Sequence, residues 1–194
     1  MKYIPANAQL YIENRQRFAK KLKPNSIAVF NSNDIMPTSA DGTMMFVQNS
    51  DIFYLSGIDQ EESILVIFPD AKEESNREIL FLKETNEHIA VWEGHKYTKQ
   101  EAITTSGIKK IHWLKDFFGV FQALMSQAEN VYLNTNEHTR AFVEVETRDA
   151  RFIKFCKERY PLHIYNRSAP IMHELRAVKS KYEVEIMQQA CNIT

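Results

Sequence analysis

The alternation of apolar and polar positions divides the chain into short strands and amphipathic helices. Residues 64–68 are five apolar residues in a row with polar residues on either side, which predicts a short strand buried on both faces. Residues 77–82 follow after a polar stretch and predict a second strand, antiparallel to the first. Further extended segments are predicted, in chain order, at 26–30, 53–55, 90–92, 111–113, 131–133 and 162–165.

Apolar residues that recur every three or four positions predict helices over residues 9–23, 114–127 and 147–160. The last of these places Phe152 and Cys156 on one face. Strands and helices alternate along the chain, and the central strands are apolar throughout. This order predicts an α/β fold in which helices flank a mixed β-sheet.

A further helix is predicted near the end of the chain. Ser180 and Glu183 have the spacing of a capping box, so the helix begins near Lys181. An apolar stripe runs along it, and the chain ends at Thr194 without a glycine, asparagine or proline stop signal. We therefore expect this chain to be part of a longer polypeptide.

Charge and composition narrow the classes of function. The chain has 24 basic and 25 acidic residues, a formal net charge of −1, which disfavours nucleic acid as a partner. No apolar run is long enough to span a bilayer, so no membrane partner is expected. The two cysteines, Cys156 and Cys191, form no CxxC pair and suggest reduced thiols in the cytoplasm.

Motifs for chemistry are absent from the sequence. The six histidines form no HExxH, and the five glycines form neither a nucleotide-binding loop nor a GxSxG nucleophile motif. Two carboxylate pairs, at 61–62 and 73–74, are interpreted as solvated turn charges, and the polar residues 49–51 as bonding to local backbone. Trp92, next to a glycine turn, fits either a packing residue or a recognition surface.

Four blocks occur together in the order and approximate spacing of one family: Gln-Asn-Ser-Asp-Ile-Phe-Tyr-Leu-Ser-Gly at 48–57, Glu-Ser-Ile-Leu-Val-Ile-Phe at 62–68, Val-Trp-Glu-Gly at 91–94 and His-Glu-Leu-Arg-Ala-Val-Lys-Ser at 173–180. They resemble the amino-terminal half of Xaa-Pro aminopeptidase (aminopeptidase P). The resemblance extends over about residues 9–194.

This resemblance implies a creatinase/prolidase-type amino-terminal domain, ribonuclease-H-like in topology, over residues 1–176. Residues 177–194 would be a linker and the first helix of a pita-bread metallopeptidase domain. That domain would hold two divalent metal ions, usually manganese, on ligands beyond Thr194, so the resemblance implies no catalytic or metal-binding residue in this chain. Cleavage of peptides with proline in the second position would occur there.

The resemblance also implies partners for the domain. The full protein would act on proline-containing peptides as a homo-oligomer, a dimer or a tetramer, and Trp92 would bind substrate in the cleft of a neighbouring subunit. The chain departs from many family members at Val47, where they have a basic residue, and at Ile52, where they have an aromatic one. Alternatives are the amino-terminal domain of a prolidase or creatinase, and a non-catalytic peptide- or histone-binding module.

Overall fold

A computed structural model describes residues 6–86 and 94–193. Among these residues, six strands form one mixed sheet in the order β4-β3-β2-β1-β5-β6. The strands are β1 (Ser26–Asn31), β2 (Ile64–Ile67), β3 (Glu78–Leu82), β4 (Lys110–Trp113), β5 (Asn130–Leu133) and β6 (Ile164–Arg167). β2 is antiparallel to both β1 and β3, whereas β1, β5 and β6 run parallel to one another and β4 runs parallel to β3.

Helices cover both faces of the sheet. They are α1 (Ala8–Ala19), α2 (Ser50–Ser56), α3 (Lys99–Ser106), α4 (Phe117–Met125), α5 (Arg148–Arg159), α6 (Ala169–Ala177) and α7 (Lys181–Ile193). Side chains of α1, α2, α3 and α6 fill the core on one face, and those of α4 and α5 fill the core on the other. The predicted α/β fold with a mixed, helix-flanked sheet is thus confirmed.

The centre of the sheet follows the sequence prediction closely. Every residue of β1 and β2 is buried, as expected for strands covered on both faces. β2 and β3 form the predicted antiparallel pair, with Val66 opposite Ile79. In α5, Phe152 and Cys156 are the buried residues, and the Thr147 side chain caps the helix by accepting a hydrogen bond from the Ala150 amide at 3.2 Å.

The strand predicted at 53–55 is wrong, because these residues lie in α2. The Asn49 side chain caps the start of the helix by accepting a hydrogen bond from the Asp51 amide at 2.9 Å. Gly57 ends the helix with a left-handed backbone, φ 71°. The aromatic pair at 53–54 favours a strand by propensity, but the start and stop signals define one short helix.

Two helices of the described chain were not predicted, and one strand lies elsewhere. α3 begins with a complete capping box between Thr98 and Glu101, and α6 has a proline in its first turn. Both are short, so their apolar periodicity is weak. β6 begins two residues later than predicted because Leu162 is almost fully exposed and lies outside the sheet.

The same three residues, Ser-Gly-Ile, end α2 at 56–58 and α3 at 106–108. In each copy the serine hydroxyl donates to a carbonyl one turn earlier and accepts from the isoleucine amide, while the glycine is left-handed. Arg15 lies between the two helix ends, with Nη1 donating to the carbonyls of Leu55 at 2.8 Å and Ser106 at 2.9 Å. One buried side chain of α1 therefore joins the ends of two helices.

α7 begins with the predicted capping box. The Ser180 amide donates to the Glu183 carboxylate at 2.8 Å, and the Glu183 amide donates to the Ser180 hydroxyl at 3.3 Å. No described residue of α7 is buried, and its apolar residues Ile186 and Met187 are exposed. None of the described helices combines the length and apolarity needed to cross a membrane.

Candidate binding site

A polar crevice opens at the edge of the sheet where the parallel strands end. After β1 the chain passes to α2 on one face, and after β5 it passes to α5 on the other. Chain paths that diverge in this way leave a crevice outside the carboxyl ends of the strands, where open α/β sheets commonly bind ligands. Here the crevice has a cavity of about 520 Å³.

One wall of the crevice is the first turn of α2. The Gln48 amide group anchors this turn by donating to the Ile58 carbonyl at 3.0 Å and the Gln60 carbonyl at 2.8 Å. Asp51 follows, and its Oδ2 accepts a hydrogen bond from Asn134 Nδ2 at 3.1 Å. Asp51 therefore connects α2 to the segment after β5.

Arg176 of α6 closes the same wall. Its Nη1 lies 2.9 Å from Asp51 Oδ1 and 3.0 Å from the Ser50 hydroxyl, and its guanidinium lies 6.0 Å from the centre of the Tyr54 ring. The two sequence blocks at 48–57 and 173–180 are thus in direct contact. The prediction that residues 49–51 bond only local backbone holds for Asn49 but is wrong for Asp51.

The opposite wall carries Asp149, in the first turn of α5. Asn31, the last residue of β1, donates from Nδ2 to Asp149 Oδ1 at 2.9 Å. Burial raises the pKa of the Asp149 carboxyl to about 7, and the nearby Asp51 carboxylate adds to that increase. The Asn31 hydrogen bond and the Arg148 guanidinium act in the opposite direction. The Asp149 carboxyl therefore keeps its proton to a higher pH than an ordinary aspartate does.

Asn134 stands between these two acidic groups at the end of β5. Its side chain is 3% exposed, and its Nδ2 is used in the bond to Asp51. Its Oδ1 accepts no hydrogen bond from any residue in the described ranges. A buried amide oxygen without a donor is costly and uncommon, so it marks a position where a ligand or a water molecule is expected.

The rim of the crevice is also ordered by ionic contacts. Arg167 of β6 donates from Nε to both carboxylate oxygens of Glu137, at 2.8 and 3.0 Å. The hydrogen bonds from Arg167 lower the pKa of Glu137, and this effect outweighs the opposing effect of partial burial. Glu137 is thereby held as a paired carboxylate, and Asp149 is left as the acidic group of the crevice without an ion pair among the residues described.

The arrangement suits binding through hydrogen bonds. Within residues 6–86 and 94–193, no group of three or more His, Cys, Asp or Glu side chains is placed to hold a metal ion. The described residues therefore do not fit the dinuclear metal centre of the resemblance. What they offer is a set of oxygen acceptors on a rigid sheet edge.

Trp92 and the extended segment predicted at 90–92 lie outside the described residues, so both stay predictions. The chain on its carboxyl side is fixed to the domain: Lys96 pairs with Glu61, both nearly buried, and the Tyr97 amide donates to Gln60 Oε1 at 2.7 Å. The interpretation of Glu61 as a solvated turn charge is therefore wrong. Glu73 and Glu74 are exposed, in agreement with the sequence interpretation.

The crevice residues were not identified from the sequence. Asn31 and Asn134 are polar residues at the ends of buried apolar strands, and that pattern is the signal that could have identified them. Asp149 carried no such signal, because it lies in a helix of mixed charge. Of the two departures from the family pattern, Val47 is exposed and Ile52 is fully buried in α2.

The fold and the crevice define the chain as an α/β domain of mixed sheet with a polar site at the carboxyl edge of its parallel strands. The chain belongs to the family described as aminopeptidase P, N-terminal domain, whose family model matches residues 11–132.

Curated relatives align in sequence with most of this chain. Xaa-Pro aminopeptidase of Escherichia coli K12 is 23% identical over 96% of the chain and 42% of its own length. The corresponding enzyme of Haemophilus influenzae is 24% identical over 94% of the chain and 40% of its own length. Intermediate cleaving peptidase 55 of Schizosaccharomyces pombe is 24% identical over 97% of the chain and 39% of its own length. The chain thus spans about two fifths of the length of these relatives.

Solved structures agree in fold. A Bacillus anthracis protein assigned as an aminopeptidase P superposes with a TM-score of 0.82 and 26% identity, over 94% of this chain and 43% of its own. Pseudomonas aeruginosa aminopeptidase PepP superposes with a TM-score of 0.76 and 22% identity, over 100% of this chain and 43% of its own. The second likeness, at that identity, concerns the fold alone.

Proposed function

We propose that this chain is the amino-terminal domain of a Xaa-Pro aminopeptidase, an enzyme that removes the first residue from peptides with proline in second position. The observation that carries the proposal is the family match, together with relatives of that name that align with nearly the whole chain. The contact between Asp51 and Arg176 adds support, because it joins the sequence blocks at 48–57 and 173–180 that carry the resemblance. The test is hydrolysis of a Xaa-Pro peptide, described at the end of the Discussion.

In this proposal the metal chemistry belongs to a following domain, in which two divalent ions, manganese in the expected case, act on the peptide. Residues 1–176 form the amino-terminal domain, and residues 177–194 are the linker and the first helix of the next. In support, Val178 is 71% exposed, and no described residue of α7 is buried. We also propose a cytoplasmic location, with both cysteines free as reduced thiols.

A second part of the proposal is that the domain contributes contacts to a homo-oligomer. The segment between β1 and α2 exposes apolar side chains beside the crevice, among them Met44, Met45 and Val47, with Val145 next to them. We call these four residues the loop patch. Contiguous exposed apolar surface of this kind commonly marks a protein interface.

The oligomer proposal is tested by Met45→Lys, which places a charge on a side chain that is 85% exposed. We expect the mass measured by light scattering to fall to that of a smaller species, because burial of an unpaired ammonium opposes association. Leu162→Lys is the matched control, since Leu162 is 96% exposed at the amino end of β6, away from the loop patch. An unchanged mass for Met45→Lys, or a wild-type protein that is monomeric, would contradict the proposal.

A third part concerns Trp92, which we propose to line the substrate cleft of a neighbouring subunit. Trp92→Ala in the enzyme is expected to lower kcat/KM for Xaa-Pro peptides, with an effect that depends on peptide length. Trp113→Phe is the control for loss of an indole, because Trp113 lies in β4 under the Lys99 ammonium, 4.8 Å from the ring centre. Unchanged kcat/KM for Trp92→Ala across several peptide lengths would end this part of the proposal.

A non-catalytic binding module is the second candidate, and the crevice is the observation that favours it. A rigid polar cavity with an unpaired buried acceptor has the character of a ligand site and requires no metal. The two candidates differ in one outcome: a binding module would leave Xaa-Pro peptides intact whatever polypeptide follows residue 194.

A further inference from the structure

Two side-chain oxygens of the crevice accept no hydrogen bond from the residues that the structure describes. Asn134 Oδ1 is buried and accepts no hydrogen bond from the described residues. Asp149 receives one hydrogen bond, from Asn31 to Oδ1, and the described part of the chain offers no donor to Oδ2. Both side chains line the same cavity. A ligand with several donors on one atom would satisfy both acceptors.

The charges around the cavity favour a cation. Asp51 is paired with Arg176 at 2.9 Å, and Glu137 is paired with Arg167, so these two carboxylates are neutralised locally. Among the described residues Asp149 has no ion-pair partner within 4 Å. The charge of the neighbouring Arg148 acts to lower the pKa of Asp149, but Arg148 donates its Nη1 to the Ser32 hydroxyl, at 2.8 Å. One carboxylate is therefore available to a positive group from outside the protein.

The same features discriminate between kinds of cation. A divalent metal ion prefers several anionic oxygens around it, and within the described ranges no three His, Cys, Asp or Glu side chains are placed to hold one. A primary ammonium carries one charge and three donors, which matches one free carboxylate and neutral amide oxygens. The cavity, of about 520 Å³, is within the range of small-molecule sites.

We propose that the crevice between α2 and α5 binds a small molecule through a primary ammonium group, which donates hydrogen bonds to Asp149 and Asn134. This proposal is independent of the proposed peptidase activity, because it uses only residues of this domain. Asn31 and Asp51 act as positioning residues, the first holding Asp149 and the second holding Asn134.

The test is ligand-observed NMR with L-alaninamide, an amine small enough for the cavity, and with N-acetyl-L-alaninamide, which has the same amide but no ammonium. We expect saturable binding of L-alaninamide to the protein and at least tenfold weaker binding of the acetylated compound, because a charge-assisted hydrogen bond is worth about one power of ten or more in affinity. Equal binding of the two compounds, or binding of neither, would overturn the proposal.

Variants then locate the site. Asp149→Asn keeps the shape of the protonated carboxyl and is expected to weaken L-alaninamide binding about tenfold or more. Glu158→Gln makes the same charge change at an exposed position of the same helix and is expected to leave binding unchanged. An equal loss of L-alaninamide affinity in both variants would mean that the ligand responds only to the overall charge of the protein, and it would overturn the proposed site. Asn134→Leu, of similar volume, provides an independent second variant with the same expected loss, and wild-type affinity in it would equally contradict the proposal.

Discussion

Gly57 and Gly119 lie in opposite backbone situations, so alanine at the two positions is expected to change stability with opposite sign. Gly57 has φ 71°, and an added Cβ would lie 2.3 Å from the Tyr11 ring. Gly119 is in α4, and an added Cβ would meet nothing within 4 Å. We expect Gly57→Ala to lower the free energy of unfolding by about 2–4 kcal/mol and Gly119→Ala to raise it by about 0.5–1 kcal/mol.

Urea unfolding of the two variants beside the wild-type protein measures both changes. A Gly57→Ala protein as stable as wild type would mean that the end of α2 does not need the left-handed glycine. A destabilised Gly119→Ala protein would mean that the added methyl group at this position of α4 meets other atoms of the protein.

Asp149 makes the stability of the folded protein depend on pH, and the sign of this dependence follows from its raised pKa. Below about pH 4 the carboxyl is protonated in both the folded and the unfolded protein. Between about pH 4 and its folded pKa of about 7, the folded protein keeps a proton that the unfolded chain has lost, so stability decreases as the pH rises. Above that range both forms are ionised and the dependence ends.

The Asp149→Asn variant cannot lose this proton. We therefore expect the stability of the variant to increase relative to wild type as the pH is raised from 4 to 7, as measured by thermal unfolding across that range. Glu158→Gln should follow the wild-type curve, since Glu158 is exposed. Parallel curves for wild type and Asp149→Asn would show that the carboxyl has an ordinary pKa in the folded protein.

At the scale of elements, Arg15 is the connection with the largest expected effect. Its side chain is fully buried, donates to the ends of α2 and α3, and lies 3.0 Å from Glu78 Oε2 through Nε. Arg15→Met would leave two buried carbonyls and a carboxylate without their partner. We expect a loss of about 3–5 kcal/mol in the free energy of unfolding, mainly because each buried carbonyl left without a donor costs about 1–3 kcal/mol. The Glu78 side chain is 32% exposed and can be hydrated after the substitution.

Lys20→Met is the matched control, because Lys20 is exposed just beyond the end of the same helix. Its stability should remain within about 0.5 kcal/mol of wild type. An Arg15→Met protein as stable as Lys20→Met would contradict this expectation. It would mean that the three polar contacts of Arg15 add nothing to the free energy of unfolding beyond the packing that methionine also provides.

The sequence predicted the elements whose apolar pattern is long or continuous. β1, β2 and β3 are apolar runs, and α4 repeats its apolar residues over several turns. α2 was predicted as a strand because seven residues are too few for helical periodicity to outweigh two aromatic side chains. Its start and stop residues, Asn49 and Gly57, were visible in the sequence, as was the Thr98–Glu101 capping box of α3.

The candidate site could not be predicted in the same way, because it depends on which strands lie side by side. Asp51 and Arg176 are 125 positions apart, and Asn31 and Asp149 are 118 apart. Each pair meets only because β1, β5 and β6 are parallel neighbours in the sheet. The raised pKa of Asp149 likewise results from burial between elements and has no signature in the local sequence.

At the scale of the whole molecule, two of the surfaces that expose apolar side chains bear on assembly. One is the loop patch beside the crevice, and the other is α7, whose Val184, Ile186 and Met187 are exposed on a helix with no buried residue among those described. Both are consistent with the proposal that this domain works within a larger assembly, with the loop patch against a second subunit and α7 within the following domain.

We propose that this chain is the amino-terminal domain of a Xaa-Pro aminopeptidase and that the catalytic centre lies outside residues 1–194. The most direct measurement is release of free alanine from Ala-Pro-Ala in the presence of Mn²⁺, by the 194-residue chain and by the longer protein expected to contain it. We expect release by the longer protein and none by the 194-residue chain. Release by the 194-residue chain alone, or intact peptide with the longer protein, would contradict it.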